Sequence, residues 1–420
     1  MRGRLHTTLP GGVLPLVLSV SVVVGIICLA MVLLGYVNRV LYVTNDATSR
    51  LHRNVQSGYN YILADANQVT APLSGVEDLF GRGTDSVLIG RKRWGLYEVG
   101  TVLAWAGNQQ KGGAIMIGHR PDSLGQAALY LADERRPLSI AGNTRISGKA
   151  YLPRAGIRTA YINRTGYSGS KLVYGTTRYS NSSMPQLDAE AAEAIFAIYN
   201  GNNTPTYRLD ARPAGTDSIG RSFLRDSAQY LQLEGGMAIS GAINGQVIVH
   251  SPGKLHLPAK AQINHAIIIA RHVTVANGFE GTLQIFATDS IVLGQRVQLG
   301  YPSALVCQGQ QGGYISIGQN SQVTGTILHL GQASNERYNQ CKLLPGSVLT
   351  GRAYINGFAE VQGTIKGHLS CRKFLLQTPA TLYENHLFNA TIDSERIASQ
   401  YLGTPVWGSA STRGIISTLP

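Results

Sequence analysis

The chain has few charged residues and few strong helix formers. Only 14% of its 420 residues are charged, against about 25% in a typical soluble domain. Glutamate and lysine are scarce, whereas glycine (49) and tyrosine (20) are abundant. This composition argues against a helical bundle and favours a β-rich, turn-rich chain of two or three domains.

The chain also lacks a dense cysteine framework and a phosphate-binding loop. Cys28 lies in an apolar segment, and the remaining three cysteines are Cys307, Cys341 and Cys371. We expect most of the four to be small buried residues, and one disulfide among the last three stays open. No Gly-x-x-x-x-Gly-Lys-Ser/Thr sequence occurs, which excludes a P-loop nucleotide site.

No stripe of basic residues is present, although the net charge is +13. The longest basic run is Arg91-Lys92-Arg93, and the other cations are dispersed. Such a pattern does not match a phosphate backbone. The sequence therefore predicts no specific nucleic-acid partner, but contact with acidic polymers through a dispersed basic surface.

Charged side chains are missing altogether from residues 13 to 37, VLPLVLSVSVVVGIICLAMVLLGYV. A run of this length can cross a bilayer core of about 30 Å as one helix. It is longer than the apolar core of about 7–15 residues in a cleavable secretory signal. The sequence therefore predicts a retained single-pass anchor with membrane lipid as a partner.

Basic residues flank the span on both sides. Arg2 and Arg4 precede it, and Arg39, Arg50 and Arg53 follow it, so the positive-inside count is nearly balanced. Because the short basic head directly abuts the apolar run, we expect a cytoplasmic N-terminus. The body would then be extracytoplasmic, in the periplasm or at the cell surface.

Apolar residues continue beyond the span at steps of three or four. This stripe predicts an amphipathic helix that continues the span and ends at Pro72. Its members are Val40, Val43, Ala47, Leu51, Val55, Tyr59, Ile62, Ala66 and Val69.

Three features follow one another at the N-terminus: a short basic head ending in Gly11-Gly12, an apolar start at Val13, and a helix half in membrane and half in protein. Together they resemble type IV pilins and pseudopilins. In that family a prepilin peptidase cuts after the leader glycine, so the resemblance implies cleavage between Gly12 and Val13. It also implies partners in an envelope assembly or a homo-oligomer. The chain departs from most pilins at the fifth mature position, where Val17 replaces glutamate, as in some minor pilins. A plain signal-anchor helix with a coiled neck explains the same residues.

Short strand-like runs separated by turn residues follow the helix. They are Ser86 to Gly90, Trp94 to Ala106, Ala114 to Gly118 and Ala127 to Ala132. We predict that they form four antiparallel strands packed on the apolar stripe of the helix.

Brief β-branched runs recur in the second half of the chain, at spacings of about 17–20 residues in one set and about 18–24 in another. One set is centred near 248, 268, 285 and 305, and a second set runs from Leu255 to Ile317. Two interleaved ladders predict a β-solenoid. The texture resembles bactofilins, which polymerise end to end at bacterial membranes. Asp188 to Tyr199 predicts a short helix in an insertion, and Phe374 to Leu402 predicts a cap on an open solenoid end.

Carboxylates are too sparse in the predicted solenoid to suggest glycoside cleavage, which uses a close pair. The only ones between residues 236 and 375 are Glu280, Asp289, Glu336 and Glu360. His265 and His272 have no further ligand at metal-binding spacing. We therefore predict no catalytic, cofactor-binding or metal-ligating residues and no cofactor.

The sequence thus predicts a mainly β protein with a long N-terminal transmembrane and amphipathic helix, a small antiparallel sheet, and a β-solenoid with a helical insertion and a C-terminal cap. The preferred function is a non-enzymatic, membrane-anchored envelope protein; a polymer-forming scaffold and a β-helix glycan-active enzyme are the alternatives. The predicted segments are a head (1–12), a span (13–37), an amphipathic helix (38–71), the small sheet (72–136), first solenoid turns (137–179), an insertion (180–235), the solenoid (236–373) and a cap and tail (374–420).

Overall fold

The computed structural model describes most of the chain. The described residues are 12–64, 76–81, 83–122, 124–188, 191, 193–195, 197, 218–233, 239, 241–309, 312–331, 340–379, 381–407 and 412–420. Residues 1–11 of the predicted head, the helix-ending Pro72, Glu336 and residues 198–217 of the predicted insertion lie outside them.

A single long helix, α1 (Val13–Ala64), begins at the first residue of the apolar run. Within the apolar half, the hydroxyls of Ser19 and Ser21 donate to the carbonyls of Pro15 (2.7 Å) and Leu18 (2.9 Å). These side chains therefore find acceptors inside the helix, as a lipid environment requires. The predicted continuation to residue 69 is described as far as Ala64.

A five-stranded antiparallel sheet follows the helix. Its strands in chain order are β1 (Val76–Glu77), β2 (Asp85–Trp94), β3 (Tyr97–Ala106), β4 (Gln109–His119) and β26 (Arg413–Leu419), which also lie in that spatial order. The first three predicted strands are confirmed. The prediction that residues 127–132 supply the fourth was wrong, because the C-terminal strand β26 occupies that place beside β4.

The second half of α1, from Ala47 to Ala64, which we call the outer half, packs on one face of this sheet. Leu51, Val55 and Ile62 are buried against strand residues that include Val102 and Ile115. Because side chains alternate across a strand, β3 presents Val102 to the helix and Val99 to the opposite side. The predicted amphipathic stripe therefore covers one face of a sheet that is apolar on both faces.

The rest of the chain forms a body of parallel strands, which we call the parallel body. Its strands before residue 240 are β5 (Leu129–Leu131), β6 (Leu138–Ala141), β7 (Arg145–Ser147), β8 (Ala150–Leu152), β9 (Ile157–Thr159), β10 (Thr177–Tyr179), β11 (Ile219–Arg221) and β12 (Gln229–Gln232). The later ones are β13 (Ala242–Gly245), β14 (Val247–Leu257), β15 (Gln262–Val275), β16 (Glu280–Leu293), β17 (Gln298–Cys307), β18 (Tyr314–Ile317), β19 (Gln322–His329), β20 (Cys341–Leu343), β21 (Val348–Val361), β22 (Thr364–Gln377), β23 (Leu382–Glu384), β24 (His386–Phe388) and β25 (Thr391–Asp393). Two 3₁₀ turns, Ser394–Arg396 and Pro405–Trp407, follow β25.

Strand pairing in the parallel body follows the spacing of the β-branched runs. Successive residues of one ladder lie beside each other in parallel strands and are buried: Leu255, Val273, Ile291 and Ile315, and likewise Val249, Ile268, Ile285 and Leu305. The chain turns between strands at residues with positive φ, among them Gly278 (73°), Arg296 (55°), Asn320 (58°) and Gly346 (76°). Glycine and asparagine tolerate this left-handed conformation best, which explains their recurrence at these turns.

The order of strands in space differs from their order in the chain. Strand β5 pairs with the late strand β22, β7 pairs with the late strand β25, and β8 follows beside β5. Ile392 of β25 pairs on one side with Ile365 and on the other with Ile146. The predicted first turns therefore lie next to the last ones. The prediction that residues 374–402 cap an open end was wrong, because β25 is an internal strand that pairs with β22 on one side and with β7 on the other.

The antiparallel sheet and the parallel body share a continuous core. The β2–β3 turn rests on Gln284 of β16, whose side chain accepts from Leu96 N (2.8 Å) and donates to Trp94 O (2.9 Å). The indole of Trp94 donates to the carbonyl of His265 at 2.8 Å. Gln284 is buried, and both its amide oxygen and its amide nitrogen have backbone partners. These two hydrogen bonds fix the turn on the parallel body.

The predicted insertion helix is partly described. Residues 191, 193–195 and 197 are helical, and the Asp188 carboxylate accepts from the backbone N–H of Ala191 at 3.1 Å. Asp188 therefore caps this helix, as predicted. Ala191 and Ile195 are buried in the same core cluster as Trp94.

Gly58 provides a test of the contact between helix and sheet. A Cβ atom at Gly58 would lie 2.6 Å from Cγ1 of Val102, a buried and branched side chain. We expect Gly58→Val to lower the free energy of unfolding by about 1–3 kcal/mol through overpacking, as measured by thermal or denaturant unfolding in detergent. Gly35→Val, where a Cβ meets nothing within 4 Å, is the matched control. Equal stability of the two variants would contradict this packing.

Candidate functional site

The first half of α1, from Val13 to Val43, which we call the inner half, has a continuous apolar surface. Its large apolar side chains from Val13 to Val43 are exposed on all sides, and the 18-residue window tested for spanning has no buried residue. By length and composition, α1 is the one helix among the described residues that could cross a membrane. Exposure of so much apolar surface requires an apolar partner. Together with the uncharged sequence, this surface supports a membrane anchor.

The two predicted processing residues lie at the start of this surface. Gly12 forms a turn, and Val13 is the first helical residue. Val17, at the position where most pilins have glutamate, is 59% exposed among other apolar side chains. The start of the helix is therefore uniformly apolar.

Polar contacts begin where α1 reaches the sheet. The Arg50 guanidinium lies 3.1 Å from Oδ2 of Asp46 and 3.1 Å from Oδ1 of Asp85. Asn54 donates to Oδ2 of Asp85 at 3.2 Å. Asp85 is buried, so these donors balance a carboxylate at the first residue of β2 and fix the point at which the helix joins the sheet.

A buried charge cluster joins the last strand to the sheet. Glu98 of β3 lies 3.9 Å from the guanidinium of Arg91, 3.9 Å from Nε2 of His119 and 4.0 Å from the guanidinium of Arg413. These residues come from β2, β3, β4 and β26. One carboxylate therefore links four strands, including the C-terminal one.

The carboxylates considered for glycan cleavage contact cations and an amide. Asp289 Oδ2 accepts from Arg271 Nε at 2.6 Å and lies 3.6 Å from His272 Nε2. Glu360 lies 3.6 Å from Lys342 and accepts from Gln362 at 2.7 Å. Glu280 is exposed at the start of β16. Glu336 lies outside the described residues.

The histidines and cysteines considered earlier have structural surroundings. His272 contacts the Ser290 hydroxyl at 2.9 Å, and burial lowers the pKa of His265. Cys307, Cys341 and Cys371 are buried free thiols. Burial raises the pKa of Cys307 and Cys341 to about 12 and also raises that of Cys371, which keeps these thiols protonated and unreactive.

A serine–histidine contact that the sequence analysis missed lies in the core. His368 Nδ1 donates to the Ala127 carbonyl at 2.8 Å, which leaves Nε2 to accept from the Ser370 hydroxyl at 2.6 Å. Burial, followed by the charge of Arg352, lowers the pKa of His368 to about 3. Both residues are buried, at 1% and 0% exposure, so no substrate reaches this pair. The sequence carries only a His-x-Ser spacing, which gives no signal of its own.

Arg352 is a buried cation beside this pair. Its guanidinium stacks on the Trp407 ring at 3.8 Å and lies 3.8 Å from the Asp122 carboxylate. Burial lowers its pKa to about 10. The stacking and the ion pair compensate part of the cost of burying the charge.

Comparison with known proteins does not assign the chain to a family. No family model matches the chain, and no curated protein matches it. Among solved structures, it is similar to the competence-associated pilin ComZ from Thermus thermophilus, with 10% identity over 83% of this chain and 86% of that chain and a TM-score of 0.26. A TM-score this low does not establish a shared overall fold.

Charges placed in the middle of the apolar half should weaken membrane retention. Val23 and Ile27 are exposed near the centre of the span, where an arginine costs about 2.5–3.5 kcal/mol in membrane insertion. We expect the double variant Val23→Arg/Ile27→Arg to be released from membranes by alkaline carbonate. Val23→Leu is the control and should stay in the membrane pellet. Full retention of the double variant would contradict the anchor.

The buried His368 predicts a dependence of stability on acid. Its pKa in the folded state, about 3, is below the usual value of about 6.5, so the unfolded chain binds more protons between these values. Stability from this residue is complete above about pH 6.5 and declines as the pH falls toward 3. His250, His265 and His329, whose pKa values burial also lowers, act in the same direction.

We expect His368→Gln to show a shallower fall in unfolding midpoint between about pH 6.5 and pH 4 than the unchanged protein. The exposed His52→Gln, on α1, is the control and should retain the original slope. An unchanged slope in His368→Gln would show that His368 is protonated equally in both states.

Proposed function

We propose that the chain is a non-enzymatic, membrane-anchored envelope protein related in construction to minor pilins and pseudopilins. The observation that carries this proposal is the division of α1 into two halves. Its inner half is apolar on every side, and its outer half is buried on an antiparallel sheet. A helix of this kind holds a folded body at a fixed place beside a bilayer.

The beginning of the helix supports the pilin-like version of this proposal. α1 starts at Val13, directly after the Gly11-Gly12 pair that resembles a prepilin peptidase site. Removal of the head would leave a chain that starts with an uninterrupted apolar helix. In this proposal the basic head lies in the cytoplasm and the body lies outside the membrane.

We further propose that the parallel body is a β-solenoid that acts as a rigid display or contact module. Support comes from the repeated parallel register and from one core cluster that extends from Ala128 to Ile392. Stacked turns of this kind make a stiff projection with a long lateral surface. The module would present that surface to protein partners in the envelope or to copies of itself.

The alternative functions have less support. End-to-end polymerisation requires two complementary open ends. Among the described strands, β9 and β10 at one end and β11 and β12 at the other each pair on one side only. Both segments have a net positive charge: residues 157–179 have no carboxylate, and residues 219–232 contain Arg221 and Arg225 against Asp226. Like charges at both ends oppose such contacts. Glycan cleavage would use Glu280 and Asp289, and the Asp289 carboxylate is bound by Arg271.

Processing at Gly12 tests the pilin-like version. We expect the intact mass of the protein from native membranes to correspond to a chain that begins at Val13. Gly12→Leu should retain the head because the peptidase reads the leader glycine, and Gly25→Leu, where a Cβ has open space, should be processed normally. A wild-type chain that keeps the head contradicts the pilin-like version but keeps the anchor. A chain that begins beyond Val37 contradicts both.

A further inference from the structure

One stretch of the chain concentrates its positive charge. Residues 135 to 187 contain nine arginines and lysines and no aspartate or glutamate. Seven of the nine are arginine. The dispersed basic surface predicted from composition is therefore concentrated in a segment that contributes most of the net charge of +13.

This segment includes one end of the parallel body. Among the described strands, β9 pairs only with β6, and β10 pairs only with β8. Between β9 and β10, the chain forms two further parallel bridges, from Tyr167 to Gly142 and from Tyr174 to Ser147. This stretch therefore lies along the chain that contains β6 and β7. Residues 157–179 are thus the outermost layer, which we call the terminal layer. Its outer edge presents backbone N–H and C=O groups.

Cations and tyrosines alternate along the terminal layer. In chain order they are Arg158, Tyr161, Arg164, Tyr167, Lys171, Tyr174, Arg178 and Tyr179. The four cations are exposed, and none of them forms an ion pair with a carboxylate of the described residues. Arg158 Nε donates to the Ser139 hydroxyl at 3.1 Å, and the remaining N–H groups of these exposed cations can bind an external anion.

Two of the four tyrosines are held by the protein, and two are free. The Arg145 guanidinium covers the Tyr174 ring at 4.2 Å, and the Tyr167 hydroxyl donates to the Lys171 carbonyl. Tyr161 and Tyr179 are 70% and 74% exposed. Exposed tyrosine rings beside arginines without a carboxylate partner are the combination of groups suited to sugar rings that carry negative charge.

We propose that the terminal layer binds an acidic polysaccharide whose sugars carry carboxylates. Arginine matches a carboxylate with two parallel hydrogen bonds, and exposed aromatic rings stack on the apolar faces of sugar rings. The layer also carries the exposed hydroxyls of Thr159 and Thr177, which both donate and accept. On their outer side, β9 and β10 have no partner among the described strands, so carbonyls and N–H groups are present there.

Sugar hydroxyls distinguish this ligand from the other polyanions. They can donate to carbonyls and accept from N–H groups on the outer side of β9 and β10, whereas the deoxyribose-phosphate backbone of DNA offers acceptors only. A second copy of the chain is disfavoured at this edge, because two terminal layers would bring unpaired cations together. The carboxylated glycan is therefore the occupant that matches both the charge and the hydrogen-bonding groups.

Binding is tested with the full chain in neutral detergent micelles, using polygalacturonate as the probe and uncharged dextran as its control. We expect Arg158→Gln/Arg164→Gln to weaken polygalacturonate binding about tenfold or more, since each arginine loses a charged hydrogen bond. Tyr161→Ala/Tyr179→Ala, which retains every charge, should weaken it about fivefold through lost stacking. Lys254→Gln/Lys260→Gln and Tyr314→Ala, exposed residues elsewhere on the body, are the matched controls and should bind normally.

The unfolding midpoint of each variant shows whether it folds. If the arginine double variant does not fold, the tyrosine double variant tests the proposal. Absence of binding to polygalacturonate overturns the proposal. So does an equal loss in the lysine control, which would indicate diffuse attraction. Tighter binding of a single-stranded oligothymidylate that depends on the same residues would assign the layer to nucleic acid instead. Because the assay uses detergent-solubilised chain, it is independent of membrane anchoring and of processing at Gly12.

Discussion

The apolar side chains of the inner half of α1 cannot be satisfied in water, and the rest of the structure is arranged around this constraint. The helix continues without interruption from this half into one that has a single apolar stripe. That stripe requires a partner, which the antiparallel sheet supplies. Since the sheet is apolar on both faces, it requires a second partner on the other side. The parallel body meets that requirement.

The sheet is therefore the central layer of the molecule, and the contacts on its two faces differ in kind. Helix packing on one face is apolar and close, with Gly58 against Val102. On the other face, apolar packing is combined with specific hydrogen bonds from Gln284 to the β2–β3 turn. Buried polar groups with matched partners favour one arrangement over others of similar apolar area. We infer that Gln284 and Trp94 determine how the body is oriented on the sheet.

Much of the local structure was predictable from the sequence, and most of the long-range order was not. An uncharged run and a three-to-four-residue stripe predicted α1, and β-branched runs at regular spacing predicted which residues of β14 to β18 lie side by side. Periodicity identifies a strand but not its partner. Leu129 to Leu131 therefore could not be assigned to β22, nor could β26 be assigned to β4, because these partners are far away in the chain. The His368–Ser370 pair and the Glu98 cluster have no local pattern, since each depends on strands brought together by the fold.

The position of β26 in the sheet has a consequence for how the protein is made. β26 pairs with β4 almost three hundred residues earlier in the chain, and Arg413 joins the Glu98 cluster. During synthesis, β1 to β4 emerge long before the strand that completes their sheet. The layer nearest the membrane thus keeps an open edge until the whole parallel body has been translated. The antiparallel sheet is therefore completed only after the parallel body has been synthesised.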